Sequence, residues 1–505
     1  MKNEFVKNYS NEFQAFALSK IFENSDNSIH IHLFSREGEL NQFSENIKFF
    51  NKEVDVYVYP SWDCLPYSNI SPRKDIISRR YGALRASISK CKNSKIILLS
   101  LDSILQKIVP TKEILSKIFY LRIDQNVELN SLIEWLEKMG YSRQPNVYSV
   151  GEYAVRGGIL DVFVPELKYP IRLDFFGTKL EKIRTFDPSS QRSNGSIKEI
   201  KIFPVSEIIL DERSIDVFRQ NYRRTVGSVQ TSDRVYSSIS ERVLIDGIEH
   251  WLPLFNEKLE PIFSAFSGAS LSYDYDLPLM IKNKWEQIIE TRSYDLKASN
   301  NNKLSLLEPS LHYLSPSEFM EAIHVYHIKK IDQIFTNKLK SIYAPTKDFA
   351  VERNKEDTSL FSEVVKYIKQ KLKQHSIILS GHSEGSIKRL LSVLKDHDLS
   401  ITKKIENVNE IYKSPKQIYY AVTPIDLGFS TPLFEIITEK AIFGGKLRSA
   451  RAAKRRNLTA VFEDLNSLNV EDLIVHIDYG IGKFMGLKNF EINDVNNDFL
   501  EINYS

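Results

Sequence analysis

The 505-residue sequence is poor in cysteine and contains no long apolar run. Its only cysteines, Cys64 and Cys91, are too few for a disulfide framework or a cysteine-rich zinc site. No apolar stretch approaches the roughly 18 residues that cross a bilayer, and the charged N-terminal residues lack the apolar segment of a signal peptide. These absences predict a cytoplasmic protein that does not contact a membrane.

The sequence also lacks a dominant charge and a phosphate-binding motif of the GxxxxGK[ST] type. The 68 Lys and Arg residues nearly balance the 65 Asp and Glu residues, so the net charge is only +3. Any contact with nucleic acid would therefore have to be local. The hydrophobic fraction of 42% is ordinary for globular proteins, and the length predicts three or four domains rather than one core.

Alternating strand and helix patterns near the N-terminus predict a parallel α/β sheet. The apolar strands are predicted at 28–34, 54–59 and 95–100. The loop after the first strand, Ser35 to Glu39, has one glycine, no Lys-Ser/Thr pair and two acids that would repel phosphate. We therefore predict no nucleotide site there. Trp62 and Tyr67, in the next loop, could stack on bases, but local packing is the simpler interpretation.

Residues 206 to 345 show mainly helical apolar spacing. Helices are predicted at 215–222, 239–251 and 285–295. His324 and His327 have the i, i+3 spacing of half a metal site. A site needs three or four ligands and no third ligand is apparent nearby, so we predict a surface or core histidine pair and no metal.

The stretch from Val147 to Arg192 has a period of two, which predicts a small antiparallel sheet with one face towards a core. Within it, the run IRLDFF (171–176) places Arg172, Asp174 and Phe176 on the solvent face. An exposed phenyl ring near Arg172 and Arg156 is typical of the centre of a protein interface. Alternatively, a neighbouring loop covers Phe176, and Arg172 pairs with Asp174 across the surface.

A second candidate site lies in residues 346–445, a further α/β region. The strand–GHSEG–helix pattern around Ser383 matches the nucleophile elbow of α/β-hydrolases. A triad also needs an acid and then a histidine from later strands. Asp426 and His476 have the right order, whereas His397 is too close in sequence, and no HGGG-type segment precedes Ser383. A glycine turn that caps a helix explains the motif just as well.

Six cations without an acid lie between Lys446 and Arg456. Such a run can bind phosphate backbone but is usually a solvated linker, and we predict a linker over 446–465. After it, the sequence predicts a short β-structure. Its strands are expected at 473–477, 483–492 and 499–504.

Three separated motifs resemble the N-terminal portion of the bacterial transcription-repair coupling factor family, Mfd. They are VYPSWDCLPYSNISPRKDIISRRYGAL (58–84), GEYAVRGGILDVFVP…YPIRLDFFG…FDPSSQR (within 151–192) and LNVEDLIVHIDYGIGKFMGL (468–487). The second motif is shared with the excision-repair protein UvrB. The loop at Ser35 to Glu39 resembles the Mfd family, which has lost the ATP loop of UvrB. The segment after Tyr59 is also too short for the DNA-clamping hairpin of UvrB.

The resemblance implies a multidomain α/β protein. A UvrB-like α/β domain with a degenerate P-loop would comprise 1–118 and 206–345, with a small antiparallel α+β domain, the UvrA-binding domain 2, inserted at 119–205. An α/β domain of unknown role would follow at 346–445. After the basic linker, residues 466–505 would begin a CarD/Tudor-like β-barrel, the RNA-polymerase-interacting domain, and would leave it incomplete.

The resemblance further implies a binding module, not an enzyme, in transcription-coupled nucleotide excision repair. It would recruit UvrA to RNA polymerase stalled at DNA damage. By position, Arg156, Arg172 and Phe176 would contact UvrA, and Leu500 and Ile502 the polymerase β subunit. No catalytic, metal or cofactor residue is implied, since ATP and Mg²⁺ belong to motor domains that this sequence lacks. The chain would be monomeric and touch DNA only weakly or indirectly. The competing hypotheses are a hydrolase based on Ser383 and a stand-alone damaged-DNA-binding protein.

Overall fold

A computed structural model describes residues 9–21, 28–34, 36–87, 93–165, 167–227, 229, 233–273, 277–298, 307–330, 343–353, 360–395, 397, 399, 403–411, 416–444, 473–476, 480–492 and 495–504. The chain forms two compact units, Met1–Gly444 and Gly445–Ser505. The predicted basic linker at 446–465 and Cys91 lie outside the described residues. Within the described ranges, no helix has the length and apolarity needed to span a bilayer.

The helices are α1 Asn11–Ile21, α2 Leu40–Phe50, α3 Lys74–Arg85, α4 Leu101–Leu105, α5 Thr111–Ser116, α6 Leu129–Lys138, α7 Glu212–Val226, α8 Arg234–Ser240, α9 Leu252–Phe255, α10 Leu277–Ala298, α11 Pro309–His312, α12 Pro316–Val325, α13 Ala350–Arg353, α14 Leu360–Leu372, α15 Glu384–Lys395 and α16 Glu439–Phe443. Short 3-10 helices occur at Glu37–Glu39, Ile248–Trp251, Ile262–Ser264 and Val408–Glu410.

The strands are β1 Ile29–Phe34, β2 Asp55–Tyr59, β3 Lys95–Ser100, β4 Phe119–Arg122, β5 Ser142–Arg143, β6 Glu152–Arg156, β7 Ile159–Val162, β8 Ile171–Phe176, β9 Lys179–Phe186, β10 Ser193–Ile197, β11 Glu199–Ile202, β12 Ser270–Tyr273, β13 Lys329–Lys330, β14 Ala344–Pro345, β15 Ser376–Gly381, β16 Lys403–Lys404, β17 Ile418–Val422, β18 Phe429–Ser430, β19 Phe434–Thr438, β20 Leu473–His476, β21 Gly480–Ile492 and β22 Val495–Asn503.

A parallel sheet of order β13-β12-β1-β3-β2 forms the first layer of the larger unit. β12 and β13 come from the chain after residue 206, whereas β1 to β3 come from the chain before residue 118. The central strand β3 is buried along its whole length, as expected when helices cover both faces of a parallel sheet. The two separated segments therefore share one sheet.

The loop after β1 directs its acids towards the protein's own polar groups. The Glu37 carboxylate accepts hydrogen bonds from the Ser61 backbone N–H at 3.3 Å and the Ser61 hydroxyl at 3.1 Å. Glu39 accepts a hydrogen bond from the Asn11 side chain at 2.7 Å. Both carboxylates are thus engaged by neighbouring polar groups of the protein.

The irregular loop that follows β2 packs against the helical region. Trp62 and Tyr67 are 8% and 7% exposed, which confirms local packing for this pair. Residues 60–73, all described, contain no strand, so no hairpin projects here. The Arg80 guanidinium lies 4.4 Å from the Tyr59 ring centroid and donates to Glu207 at 2.6 Å, which anchors α3 beneath the loop.

The single helix predicted at 239–251 is wrong. α8 ends at Ser240, and a 3-10 turn begins at Ile248 after Gly247, whose φ is 74° and ψ 13°. A side chain at Gly247 would also place a Cβ atom 2.9 Å from the Asn69 backbone. The left-handed conformation and this close approach end the helical path where apolar spacing alone would continue it.

A second α/β sheet, of order β14-β18-β19-β15-β17-β16, occupies residues 344–438. Its strands β15, β16, β17 and β19 are parallel, and β18 is antiparallel to β19. One buried cluster joins it to α1, α2 and the first sheet; its members include Phe16, Phe43, Leu98, Phe429 and Ile436. The two α/β layers therefore share a core around α1 and α2.

Three further sheets complete the described structure. The middle of the chain forms a mixed sheet of order β10-β9-β8-β7-β6-β5, next to the β11-β4 pair. The smaller unit contains the antiparallel sheet β20-β21-β22, and the described strands do not close into a barrel. The protein is thus a mixed α/β structure with several sheets.

Candidate protein-binding site

The predicted antiparallel sheet is built by strands β6 to β9, and its alternation is as expected. Ile171 and Leu173 point into the core and are fully buried, whereas Arg172 and Asp174 are partly exposed. The inner face packs against α6 through Leu132 and Leu136. Alternation of side chains across the strand therefore leaves one face of this sheet available to solvent.

Two hairpin turns lie at the same end of this sheet and position Arg156 and Phe176. Arg156 ends β6 before Gly157, whose φ is 60°, and Phe176 ends β8 before Gly177, whose φ is 61°. The hairpins are joined where the Phe175 N–H donates to the Gly158 carbonyl at 2.8 Å. A Cβ atom at Gly158 would lie 2.7 Å from the Phe175 carbonyl oxygen, so glycine permits this close approach.

The Phe176 side chain is exposed to solvent. Its exposed fraction is 77%, the highest among the large exposed hydrophobic residues of the described structure. The alternative in which a neighbouring loop covers this ring is therefore wrong. A large aromatic ring left in water at a turn offers apolar area that a partner can bury.

Arg172 pairs with Asp161, not with Asp174. Its Nε and Nη2 donate to the two Asp161 carboxylate oxygens at 2.7 and 2.8 Å, and its guanidinium lies 4.7 Å from the Phe186 ring centroid. The alternative in which Arg172 pairs with Asp174 is wrong, because Asp161 lies directly opposite Arg172 on β7. Asp174 instead accepts two hydrogen bonds from Arg184, at 2.7 and 2.6 Å.

The Arg172–Asp161 pair is largely withdrawn from solvent. The side chains are 15% and 3% exposed, and hydrogen bonding to Asp161 raises the pKa of Arg172 further above its ordinary value. The guanidinium covers Phe186, which belongs to a small buried cluster on this outer face. Most of the Arg172 donors are therefore committed inside the protein.

Arg156 is exposed beside the turn. Its Nη2 donates to the Pro145 carbonyl at 2.9 Å and also contacts the Asn146 side-chain oxygen. The structure thus brings Arg156 and Phe176 to one end of the sheet. Arg172 lies four residues back along β8, about 13 Å from Phe176 at the usual rise per strand residue.

Asp161 is the residue of this region that the sequence reasoning missed. It fixes the orientation of Arg172 through a two-pronged hydrogen bond. The signal that could have found it is the Gly157-Gly158 turn. Once that turn sets the hairpin and the next connection sets the register, Asp161 faces Arg172.

Ser383 begins a helix. The Ser383 hydroxyl accepts a hydrogen bond from the Ser386 N–H at 3.1 Å, and the Ser386 hydroxyl accepts one from the Ser383 N–H at 3.1 Å. This reciprocal pair is a capping box for α15. Asp426 contacts His382 Nε2 at 2.9 Å. His397 lies against the Phe361 ring, and the side chain of His476 lies outside the described residues.

The remaining predicted site residues fall in two other places. Ile502 lies on β22 opposite Phe484, and Leu500 lies opposite Leu487, with its side chain outside the described set. His324 is on α12, whereas His327 follows that helix in a left-handed conformation. Within the described ranges, no three His, Cys, Asp or Glu side chains are grouped to hold a metal ion.

Comparison with known families gives three matches along the chain. Residues 119–208 match the UvrB interaction domain, residues 367–442 match the MFD D3 domain, and residues 468–505 match the CarD-like/TRCF RID domain. The first match covers the sheet that carries Phe176. The second covers Ser383 and strands β15 to β19 of the second α/β sheet.

Similar proteins share one name, transcription-repair-coupling factor. The protein from Haemophilus influenzae is 27% identical over 89% of this chain and 39% of its own length. The one from Rickettsia bellii is 27% identical over 97% of this chain and 43% of its own length. The one from Escherichia coli is 24% identical over 95% of this chain and 40% of its own length. The chain thus spans about two fifths of these relatives. Together with the order of the three family matches, these relatives show that the chain is similar to the N-terminal portion of transcription-repair-coupling factors.

Proposed function

We propose that this chain is a binding module in transcription-coupled nucleotide excision repair, which recruits UvrA to RNA polymerase stalled at DNA damage. The observation that carries the proposal is the 77% exposed ring of Phe176, next to the exposed Arg156, in a region that matches the UvrB interaction domain. The match of residues 468–505 to the TRCF RID domain supports a polymerase contact.

In the proposed UvrA interface, Phe176 is the apolar anchor. Arg156 has guanidinium hydrogens beyond its bonds to the Pro145 carbonyl and Asn146, and these can reach acceptors on UvrA. Arg172 acts mainly by holding the strand face through Asp161 and Phe186, since it is mostly buried. In this proposal Phe176 and Arg156 contact UvrA directly, whereas Arg172 mainly positions the strand.

The domain organisation proposed for this function follows the resemblance. Residues 1–118 and 206–345 form a UvrB-like α/β domain with a degenerate P-loop, and 119–205 form the inserted UvrA-binding domain. Residues 346–445 form a further α/β domain, and 466–505 begin a Tudor-like barrel that contacts the polymerase β subunit through Leu500 and Ile502. The chain itself would be a cytoplasmic monomer without catalytic activity, metal or cofactor, and ATP and Mg²⁺ would act only in motor domains of the family.

The test is size-exclusion chromatography of the full chain with purified UvrA, without nucleotide. We expect wild type to co-elute and Phe176→Ala to bind more weakly by about 2 kcal/mol, roughly 30-fold. Tyr294→Ala is the control, because Tyr294 is a similarly exposed aromatic residue, 72%, on α10. Equal losses in both variants would contradict the assigned site, and well-folded wild type that fails to co-elute would contradict the proposed function.

A further inference from the structure

The C-terminal end of α7 and the beginning of α8 carry arginines that face solvent. Arg223 and Arg224 lie in the last turn of α7, Arg234 is the first residue of α8, and all three are exposed. We call these three residues the arginine surface. The two helix ends are in contact, because the Arg223 Nη2 donates to the Tyr236 hydroxyl at 2.7 Å. Arg234 begins the helix that Arg223 contacts, two residues before Tyr236.

No carboxylate partner of the arginine surface occurs among the described residues, as is also the case for the exposed Arg156. Arg223 bonds to Tyr236, and Arg224 bonds to the Asn221 side-chain oxygen at 3.0 Å, both neutral groups. By contrast, three exposed arginines elsewhere are each paired with an acid. These pairs are Arg73–Asp75, Arg213–Glu257 and Arg242–Glu212. The positive charge of the arginine surface is thus not neutralised locally.

The sequence around the arginine surface explains this imbalance. Between residues 217 and 240 there are four arginines and one acid, Asp233, and one of the four, Arg219, pairs with Asp216 just before this stretch. Asp233 is 7% exposed and accepts a hydrogen bond from the buried Tyr222 hydroxyl at 2.8 Å, so it does not face solvent beside the arginines. The chain as a whole is nearly neutral, which makes this local excess of cations stand out.

Arg223 is held in place by the packing beneath it. Its guanidinium lies 5.6 Å from the Tyr236 ring centroid, and that ring packs against Tyr222 at 5.5 Å. One hydrogen bond to Tyr236 leaves other guanidinium hydrogens of Arg223 pointing away from the protein. An arginine fixed on a rigid aromatic group loses less side-chain entropy when it binds an anion.

We propose that the arginine surface binds the phosphate backbone of duplex DNA without reading its sequence. Backbone contacts in DNA complexes come from arginines together with uncharged polar side chains, and the exposed Gln220 and Thr225 lie beside these arginines on α7. No large hydrophobic residue in the described part of α7 and α8 is exposed, and the exposed Val243 and Leu244 lie beyond α8, so the two helices themselves offer no apolar centre for a protein interface. Single-strand stacking is disfavoured as well, because Tyr236 is engaged by Arg223.

The test measures binding of the full chain to a short fluorescein-labelled duplex of random sequence by anisotropy between 50 and 200 mM salt. Each phosphate contact changes the slope of log K against log salt by about −0.9, so three contacts contribute about −2.7, or roughly 40-fold over that range. We expect R223Q/R224Q/R234Q to lose that part of the slope. The matched control R73Q/R213Q/R242Q removes the same net charge from paired arginines and should keep the slope.

Equal losses in the two triple variants, or no binding by wild type at 50 mM salt, would overturn the proposal. If the site variant melts at a lower temperature than wild type, R224Q/R234Q keeps the Arg223–Tyr236 contact and should still lose about two thirds of that slope. Poly-L-glutamate tests the alternative that the arginine surface binds the carboxylates of an acidic protein. If it displaces the duplex as well as unlabelled DNA does at equal charge, the surface fits an acidic protein and the DNA proposal is wrong.

Discussion

The carboxylate of Asp161 holds the guanidinium of Arg172 through two hydrogen bonds, of 2.7 and 2.8 Å, across strands β7 and β8. The guanidinium in turn lies over Phe186, which is fully buried. Arg172 therefore links the proposed binding face to the packing of the sheet. Substitution of Arg172 should therefore lower the stability of the sheet more than it changes direct contacts with a partner.

Arg172→Ala should lower the free energy of unfolding by about 3 kcal/mol, because it leaves the carboxylate of Asp161, 3% exposed, without its counter-charge. Arg184→Ala is the comparison variant. It removes the partner of Asp174, but this pair is 35% and 19% exposed, so the loss should be about 1 kcal/mol or less. Urea denaturation of both variants measures the difference. Equal losses would show that burial does not set the strength of these pairs.

The proposed UvrA binding could be lost in Arg172→Ala because the fold is destabilised or because a direct contact is removed. The effect of the substitution on stability therefore has to be separated from its effect on binding. Asp161→Asn provides the check, since it removes the partner charge and leaves Arg172 in place. If Arg172 acts by positioning, both variants should weaken UvrA binding in proportion to their loss of stability. If Arg172 touches UvrA directly, Arg172→Ala should weaken binding much more than Asp161→Asn at equal stability.

Ser383→Ala tests the hydrolase alternative and the helix cap together. Loss of the cap should lower the free energy of unfolding by about 1 kcal/mol, and Ser386→Ala, which removes the reciprocal bond, should act similarly. A serine-reactive fluorophosphonate should label neither wild type nor variant. Labelling of wild type that disappears in Ser383→Ala would restore the hydrolase hypothesis.

The sequence predicts structure correctly where the pattern within a single strand or motif is sufficient. The period of two in 171–176 correctly predicts which side chains face the core and that Phe176 faces solvent. It does not predict the partner of Arg172, because alternation fixes the face of a residue but not the register between strands. The core shared by the two α/β layers was also not predicted, since it depends on contacts such as Asn407 to the Phe49 carbonyl, 358 residues apart.

Gly247→Ala should destabilise the protein by about 2 kcal/mol. A φ of 74° is unfavourable for alanine, and its Cβ would also lie 2.9 Å from the Asn69 backbone. Gly268→Ala separates the two effects, because Gly268 has a φ of 78° and no atom within 4 Å of its Cβ position. Gly268→Ala should lower the free energy of unfolding by only about 1 kcal/mol. Thermal or urea unfolding of the two variants measures the contribution of the steric contact.

Acid should destabilise the larger unit through its buried histidines. Burial lowers the pKa of His250 from 6.5 to about 4, and burial also lowers the pKa values of His30, His32 and His312. Because the unfolded chain binds these protons near pH 6.5 and the folded chain does not, stability is complete above pH 6.5. It falls as the pH drops towards 4.

His250→Gln isolates one of these contributions. His250 contacts Ser68 at 3.3 Å and the Trp62 ring, and a pKa lowered from 6.5 to about 4 corresponds to a loss of about 3 kcal/mol of stability between pH 7 and pH 4. The variant should be less stable than wild type at pH 7 because it loses packing, but its stability should fall less on acidification. Parallel pH profiles for wild type and His250→Gln would mean that His250 is protonated equally in the folded and unfolded chain, which its burial against Trp62 argues against.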